Sequence, residues 1–146
     1  MEDKLDCGAC NGLITHWLRL IYRNMTNLHN AKLVKYDLTT SQVGVLIQLL
    51  MEDGLTQKKM SQKLQIRPAS ITSLVNTLAL KGWVKRKEDS EDARINRIYL
   101  TEEGRDITFK CIKVNDEVEK VLEKDFSKTE KQMMLYWLKK LYKNLL

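Results

Sequence analysis

From about Leu13 to Leu33 apolar residues recur three or four apart, with Leu13, Trp17, Leu20, Ile21 and Leu28 on one face, which predicts a helix. Arg19, Arg23 and Asn27 lie off that stripe. Thr39 and Gln42 have capping-box spacing and open a second helix. Its Val43, Leu46, Ile47 and Leu50 form a core face, and Gly54 is expected to stop it. Thr56 can cap a short third helix with Met60 and Leu64 inward. A turn at Gln65-Ile66-Arg67 follows. Pro68 suits the first position of a fourth helix, where its missing N–H costs nothing. That helix carries Ile71, Leu74, Val75 and Leu78 at i, i+3, i+4 and i+7.

After Gly82 the period changes. Trp83 to Lys87 reads as a strand, Glu88 to Ala93 as a turn-rich tip, and Arg94 to Leu100 as a returning strand. Asp92 and Arg94 stand two apart, which on a strand puts both on one side, so the carboxylate can hold the guanidinium. Thr101 caps a long helix whose Ile107, Cys111, Val114, Val118 and Val121 alternate by four and three. Ser127 and Glu130 box the start of a last helix bearing Met134, Leu138, Leu141 and Leu145. This rhythm on two adjacent helices predicts either that they pack on each other or that they pair with a second copy; the second is the more economical, since a winged helix does not need them for its own core.

Charge sharpens the picture. Gly54 to Lys87 holds Lys58, Lys59, Lys63, Arg67, Lys81, Lys85, Arg86 and Lys87 and no Asp or Glu. Over the 146 residues the formal charge is +6; from Gly54 to Arg105 it is 11 − 6 = +5, so nearly all the excess lies in one segment. That suggests a polyanion as partner. Within the segment the fourth helix shows Ala69, Ser70, Thr72, Ser73, Asn76 and Thr77 on its outer face, framed by Arg67 and Lys81. A solvated face more usually carries Lys and Glu; small hydrogen-bonding side chains allow close approach to another surface. Two short helices and a charged hairpin on a basic background predict a winged helix-turn-helix that binds double-stranded DNA. The fold class expected is mainly α with a small β-hairpin wing. It forms one domain, in which residues 37–104 are the winged helix-turn-helix and 1–36 and 105–146 are helical dimerisation regions.

No apolar run approaches the roughly 20 residues needed to cross a bilayer, so no membrane is expected as partner. The acidic opening Met1-Glu2-Asp3 is unlike a secretory signal, and three cysteines fit a reducing compartment; the chain is expected to be cytoplasmic.

With these residues in view the chain resembles the MarR family of bacterial transcriptional regulators. The matching phrases are Leu38-Thr39 with Gln42 before a helix, and Lys81-Gly82-Trp83-Val84-Lys85-Arg86. Asp89 with Asp92-Ala93-Arg94 follows, running into Leu100-Thr101-Glu102-Glu103-Gly104. The resemblance implies a homodimer, each subunit offering one winged helix to a pseudo-palindromic operator. It also implies that the helix after Arg67 looks into the major groove while Arg94, braced by Asp92, reaches the minor groove. Repression relieved by a small aromatic ligand, an oxidant or a metal is implied too. Family members often carry Arg or Lys where this chain has Ser73 and Thr77, so affinity is expected to rest on Arg94 and the surrounding basic residues, with specificity partly from DNA shape.

Two further groups are weighed. Cys7 and Cys10 form a Cys-x-x-Cys, which can be a redox pair, half of a metal site or an incidental terminal feature. A full zinc site needs about four ligands, and only His16 and His29 lie near in sequence, so no metal or other cofactor is expected. His16, Trp17, Arg19, Tyr22 and Arg23 mix aromatic and cationic groups suited to an aromatic carboxylate; the competing reading is a core Trp17 with solvated arginines. Gly-rich phosphate loops, nucleophile elbows and paired-His motifs are absent, so no enzyme is expected. The alternatives are a thiol redox protein using Cys7 and Cys10, which lacks the βαβ context of that chemistry, and a basic helical adaptor without DNA specificity.

Overall fold

The computed structural model describes residues 11–146. Six α-helices and three short strands follow in the order α1 (Ile14–Leu33), a 3-10 turn (Val34–Tyr36), α2 (Thr40–Met51), β1 (Leu55–Thr56), α3 (Gln57–Leu64), α4 (Pro68–Leu80), β2 (Val84–Glu88), β3 (Asn96–Leu100), α5 (Glu102–Leu122) and α6 (Lys128–Lys143). Four of these six helix starts fall where side-chain capping puts them. Thr39–Gln42 and Ser127–Glu130 are complete capping boxes, and the Thr56 and Thr101 hydroxyls accept the backbone N–H of Lys59 and Gly104. Each such cap is worth about 1 kcal/mol.

The core is built by α2, α4, the inner strand and the first half of α5. Val45, Leu46 and Leu49 of α2 meet Ile71, Val75 and Leu78 of α4, with Ile98 and Cys111 completing the cluster. Burying a side chain of this size contributes about 1.5–3 kcal/mol. Burial on α2 reaches round to Val45 and Leu49 and leaves Ile47 and Leu50 only partly covered, because several elements enclose the helix.

Three boundaries and one additional strand differ from the sequence expectation. Helix α2 ends at Met51, three residues ahead of Gly54. Gly54 instead takes φ 75°, where a Cβ would sit 2.9 Å from the Tyr99 ring. Its neighbours form β1, a third strand that the sequence did not announce. The sheet order is β1-β3-β2, antiparallel, with Leu55 opposite Ile98 and Val84 opposite Leu100. The wing strands start at Val84 and Asn96 rather than Trp83 and Arg94, so Asp92 and Arg94 belong to the tip and not to a strand.

The two reaches of α5 differ. Cys111, Val114 and Val118 are buried, whereas Val121 is 53% exposed. No residue of α6 is buried, and its Met134 and Leu138 face outward with Trp137 and Tyr136, as does Leu145 just beyond its end. The two helices therefore do not bury their 4-3 faces on each other. Helix α1 behaves alike: only Leu33 is buried, and Trp17 and Ile21 are about half exposed, so Trp17 is not a core residue of the protomer. Among the described residues no helix is long and apolar enough to cross a membrane.

Candidate nucleic-acid interface

Helices α3 and α4 form the helix-turn-helix. Gln65, in the left-handed region at φ 53°, reverses the chain between them, and the Ser61 hydroxyl donates to the Ile66 carbonyl across the turn. Helix α4 buries Ile71, Val75 and Leu78 and leaves Ala69, Ser70, Thr72, Ser73 and Asn76 exposed and Thr77 half-buried. Its N-terminus has no side-chain cap and no acidic residue in the first turn, with exposed Arg67 at the N-cap position. Pro68 has no N–H, and those of Ser70 and Ile71 turn back to the Arg67 carbonyl at 3.0 and 3.2 Å, so what this end offers a phosphate is the positive end of the helix dipole beside exposed Arg67.

Three residues on this face are already engaged. Thr72 Oγ1 lies 2.9 Å from Gln57 Oε1 and 3.1 Å from the Pro68 carbonyl oxygen, and Thr77 Oγ1 donates to the Ser73 carbonyl at 3.1 Å. Asn76 Oδ1 accepts from the guanidinium of Arg86, which reaches across from β2. Lys81 is turned away from this face. Its ammonium donates to the carbonyl of Asp37, pairs with the carboxylate of the same residue at 2.6 Å, and lies 5.0 Å from the centre of the Trp83 ring. It ties the end of α4 to the 3-10 turn that closes α1.

The wing tip holds its charged side chains in specific pairs. Arg94 is 90% exposed at its side chain, yet Nε and a terminal nitrogen each meet the Asp92 carboxylate at 3.0 Å. The Arg94 backbone N–H donates to the same carboxylate at 3.0 Å. This bidentate hold survives without a strand beneath it, and the guanidinium beside it keeps the Asp92 carboxyl below the usual carboxylate range.

Asp89, which sequence reasoning passed over as a site residue, organises the tip. Its carboxylate accepts the backbone N–H of Glu91 at 2.9 Å and of Asp92 at 3.2 Å, and pairs with Arg97 Nε. Arg97 also donates to the Gly54 carbonyl at 3.0 Å, fastening the tip to the outer strand. Those backbone N–H groups, the Glu91 one above all, and Arg97 hold the Asp89 carboxyl below its ordinary range. A depressed carboxyl contributes stability above its unfolded value of about 3.9 and loses it as pH falls through the lower folded value. Wing order should therefore be constant at neutral pH and collapse only below about pH 4. Backbone amide signals of Glu91 and Asp92 followed by NMR will check this. A midpoint at or above about 3.9 would count against the Asp89 clamp.

The α1 residues His16, Trp17, Arg19, Tyr22 and Arg23 share one helix. His16 and Trp17 meet edge to face at 5.7 Å, and Trp17 Nε1 donates to the Asn11 carbonyl at 2.8 Å. None of the five lines the groove of about 440 Å³ between α1, α5 and α6, whose apolar wall includes Leu18, Ile21, Leu122, Phe126, Met134 and Leu138. Cys7 and Cys10 lie outside the described residues. Cys111 is fully buried, and burial pushes its thiol up to about 11.

A helix-turn-helix with an uncapped, small-and-polar second helix and a wing carrying a braced arginine defines a winged helix-turn-helix DNA-binding regulator. Comparison with known proteins agrees. The family model described as MarR family matches residues 36–95. An uncharacterized HTH-type transcriptional regulator of Bacillus cereus is 32% identical over 124 residues, 84% of this chain and 82% of its own. The organic hydroperoxide resistance transcriptional regulator of Bacillus subtilis is 31% identical over 104 residues, 71% of each chain. Among solved structures, MepR of S. aureus in its DNA complex aligns with TM-score 0.80 at 27% identity, covering 92% of this chain and 97% of that one. The chain belongs to the MarR family. It is a transcriptional regulator and not an enzyme, and the oxidoreductase alternative falls with that.

Proposed function

We propose that this protein is a repressor that binds a pseudo-palindromic operator as a homodimer and is released by a small ligand or an oxidant. The observation that carries the reading is the wing: an arginine almost wholly exposed and yet held in one orientation by two 3.0 Å bonds is arranged for something outside the molecule. In this reading Arg67, Ser70, Thr72, Ser73, Asn76, Thr77 and Arg86 face the major groove. Arg94, oriented by Asp92, enters the minor groove beside it, and Lys81 anchors the end of the reading helix. The dimerisation region expected over 1–36 and 105–146 would pair with a second copy through the bare apolar faces of α1 and α6, which support this, while the first half of α5 stays in the protomer core. The MepR structure contains DNA, which supports the same docking here. His16, Trp17, Arg19, Tyr22 and Arg23 would line an effector pocket only where a second copy covers α1.

The test is fluorescence anisotropy on DNA from upstream of the coding region against a scrambled duplex, across a salt series. Tight, selective binding that weakens steeply with salt is expected. No binding at low salt overturns the reading.

The oxidant arm is supported by one relative, whose name ties it to organic hydroperoxides. Cys111 is unsuited to sensing, since its thiol stays protonated and enclosed. Peroxide should therefore lower operator affinity through Cys7 or Cys10, dithiothreitol should restore it, and Cys10→Ser should abolish the response. Equal affinity before and after peroxide removes this arm and leaves a ligand as the effector.

A further inference from the structure

We propose that Arg86 fixes the side-chain amide of Asn76 as a hydrogen-bond donor, so that Asn76 reads a base edge offering only acceptors; this rests on the DNA-binding role above. A side-chain amide carries an acceptor oxygen at one corner and two N–H donors at the other. On an exposed helix face it can turn either corner outward, or present both to the N6/N7 edge of adenine. A guanidinium has donors only. When Arg86 bonds Asn76, the oxygen must face the arginine, and Nδ2 is left to point away from it. Adenine loses its two-point partner, while guanine N7 and O6 and thymine O4 remain suitable acceptors.

The neighbours complete a polarity pattern. A hydroxyl has one proton to donate. Thr77 donates its proton to the Ser73 carbonyl, and Thr72 donates to Gln57 or to the Pro68 carbonyl. The Thr72 oxygen is left outward as an acceptor, whereas Thr77 is half-buried beside Asp37 and Lys81. Asn76 is thus the fixed donor of the face, one turn from the fixed acceptor at 72, with the exposed Ser70 and Ser73 hydroxyls free to adapt. Arg86 sits on β2 opposite Ile98 of the inner strand, so the wing sheet sets what the helix reads. Arg86 acts here through Asn76 and is a positioning residue for the base. Its charge also favours phosphate, and affinity alone would not separate the two roles.

Selection of binding sites from a random duplex pool, run in parallel on the full-length wild type and on Asn76→Asp, Arg86→Lys and Asn76→Ala, separates them. The wild type should enrich a symmetric motif with guanine or thymine at one position per half-site, preferred about tenfold over the other bases. Asn76→Asp keeps the bond to Arg86 but turns an acceptor outward, and that position should switch to cytosine, whose groove edge is the N4 donor. Arg86→Lys retains the charge but not the planar fork, and the position should become degenerate while the salt dependence is unchanged. Asn76→Ala should lose the preference at that position only, and it decides the matter if the aspartate variant enriches nothing. If the wild type enriches a motif and the variants enrich the same motif with equal strength throughout, the inference is overturned. If the wild type enriches no motif, the failure belongs to the DNA-binding reading beneath it.

Discussion

Replacing Leu138 by Glu should leave a folded monomer that holds its operator about a hundredfold more weakly than the wild type. Leu138 stands on α6, a helix with no buried residue, beside the half-exposed Trp137 and Met134. The exposed apolar side chains of α1 lie across the same groove. A contiguous apolar surface of this extent is uncommon on a protein that stays single, and it marks an interface. A carboxylate placed there must be desolvated without a partner, which costs several kcal/mol. Because α6 contributes nothing to the buried cluster around Leu46 and Ile98, the substitution should spare the core, and an unchanged helical circular-dichroism spectrum would show it. The loss in affinity comes from linkage: two reading heads joined in one particle gain from effective concentration, typically by about 10²–10⁴. Sedimentation and anisotropy measured on the same samples check both parts. A wild type that sediments as a monomer would sink the paired arrangement.

Arg94→Ala should weaken operator binding by about an order of magnitude or more and lower the slope of log affinity against log salt by about one per wing, about two for the dimer. The side chain is carried at the tip of the wing, clear of the rest of the molecule, with its fork already oriented by Asp92. Preorganisation matters because a long flexible side chain otherwise gives up rotamer freedom on docking, about 0.5–1.5 kcal/mol. Asp92→Ala is accordingly the milder change: the charge remains while the orientation is lost, and binding should fall only about threefold by that entropy. Equal affinity of wild type and Arg94→Ala on a selective duplex would remove the wing from the mechanism.

Local chemistry was readable from the chain. Both capping boxes, the Pro68 start and the change of period after Gly82 depend on neighbours a few residues away. The pairing of Asp92 with Arg94 was legible for the same reason, although the chain there is a turn and not a strand. What stayed hidden depends on long-range contact. Strand β1 is only two residues long and exists because Ile98 and Arg97 lie beside it. The hold of Asp37 on Lys81 spans 44 positions, and no spacing rule reaches that far. The 4-3 rhythm of α5 and α6 correctly marked apolar faces, but the pattern of one chain carries no information about which surface covers them. Asp89 stood out in the chain only as part of the family phrase; its structural part shows in its two backbone N–H partners and Arg97.

The junction at Thr101 limits how the molecule can be taken apart. The Thr101 hydroxyl donates to the Gly82 carbonyl at 2.7 Å and accepts the Gly104 N–H at 3.0 Å, joining the exit of α4 to the first turn of α5. At Gly104 an added Cβ would lie 1.9 Å from the Trp83 carbonyl oxygen, so the helix and the wing touch there backbone to backbone. Just beyond, Cys111 and Val114 fill places in the cluster beside α2 and α4. A fragment cut after residue 104 would leave those places empty, at a cost comparable to several large-to-small core substitutions. The reading head is thus no portable module, and a chimera that borrows it must also take the first half of α5.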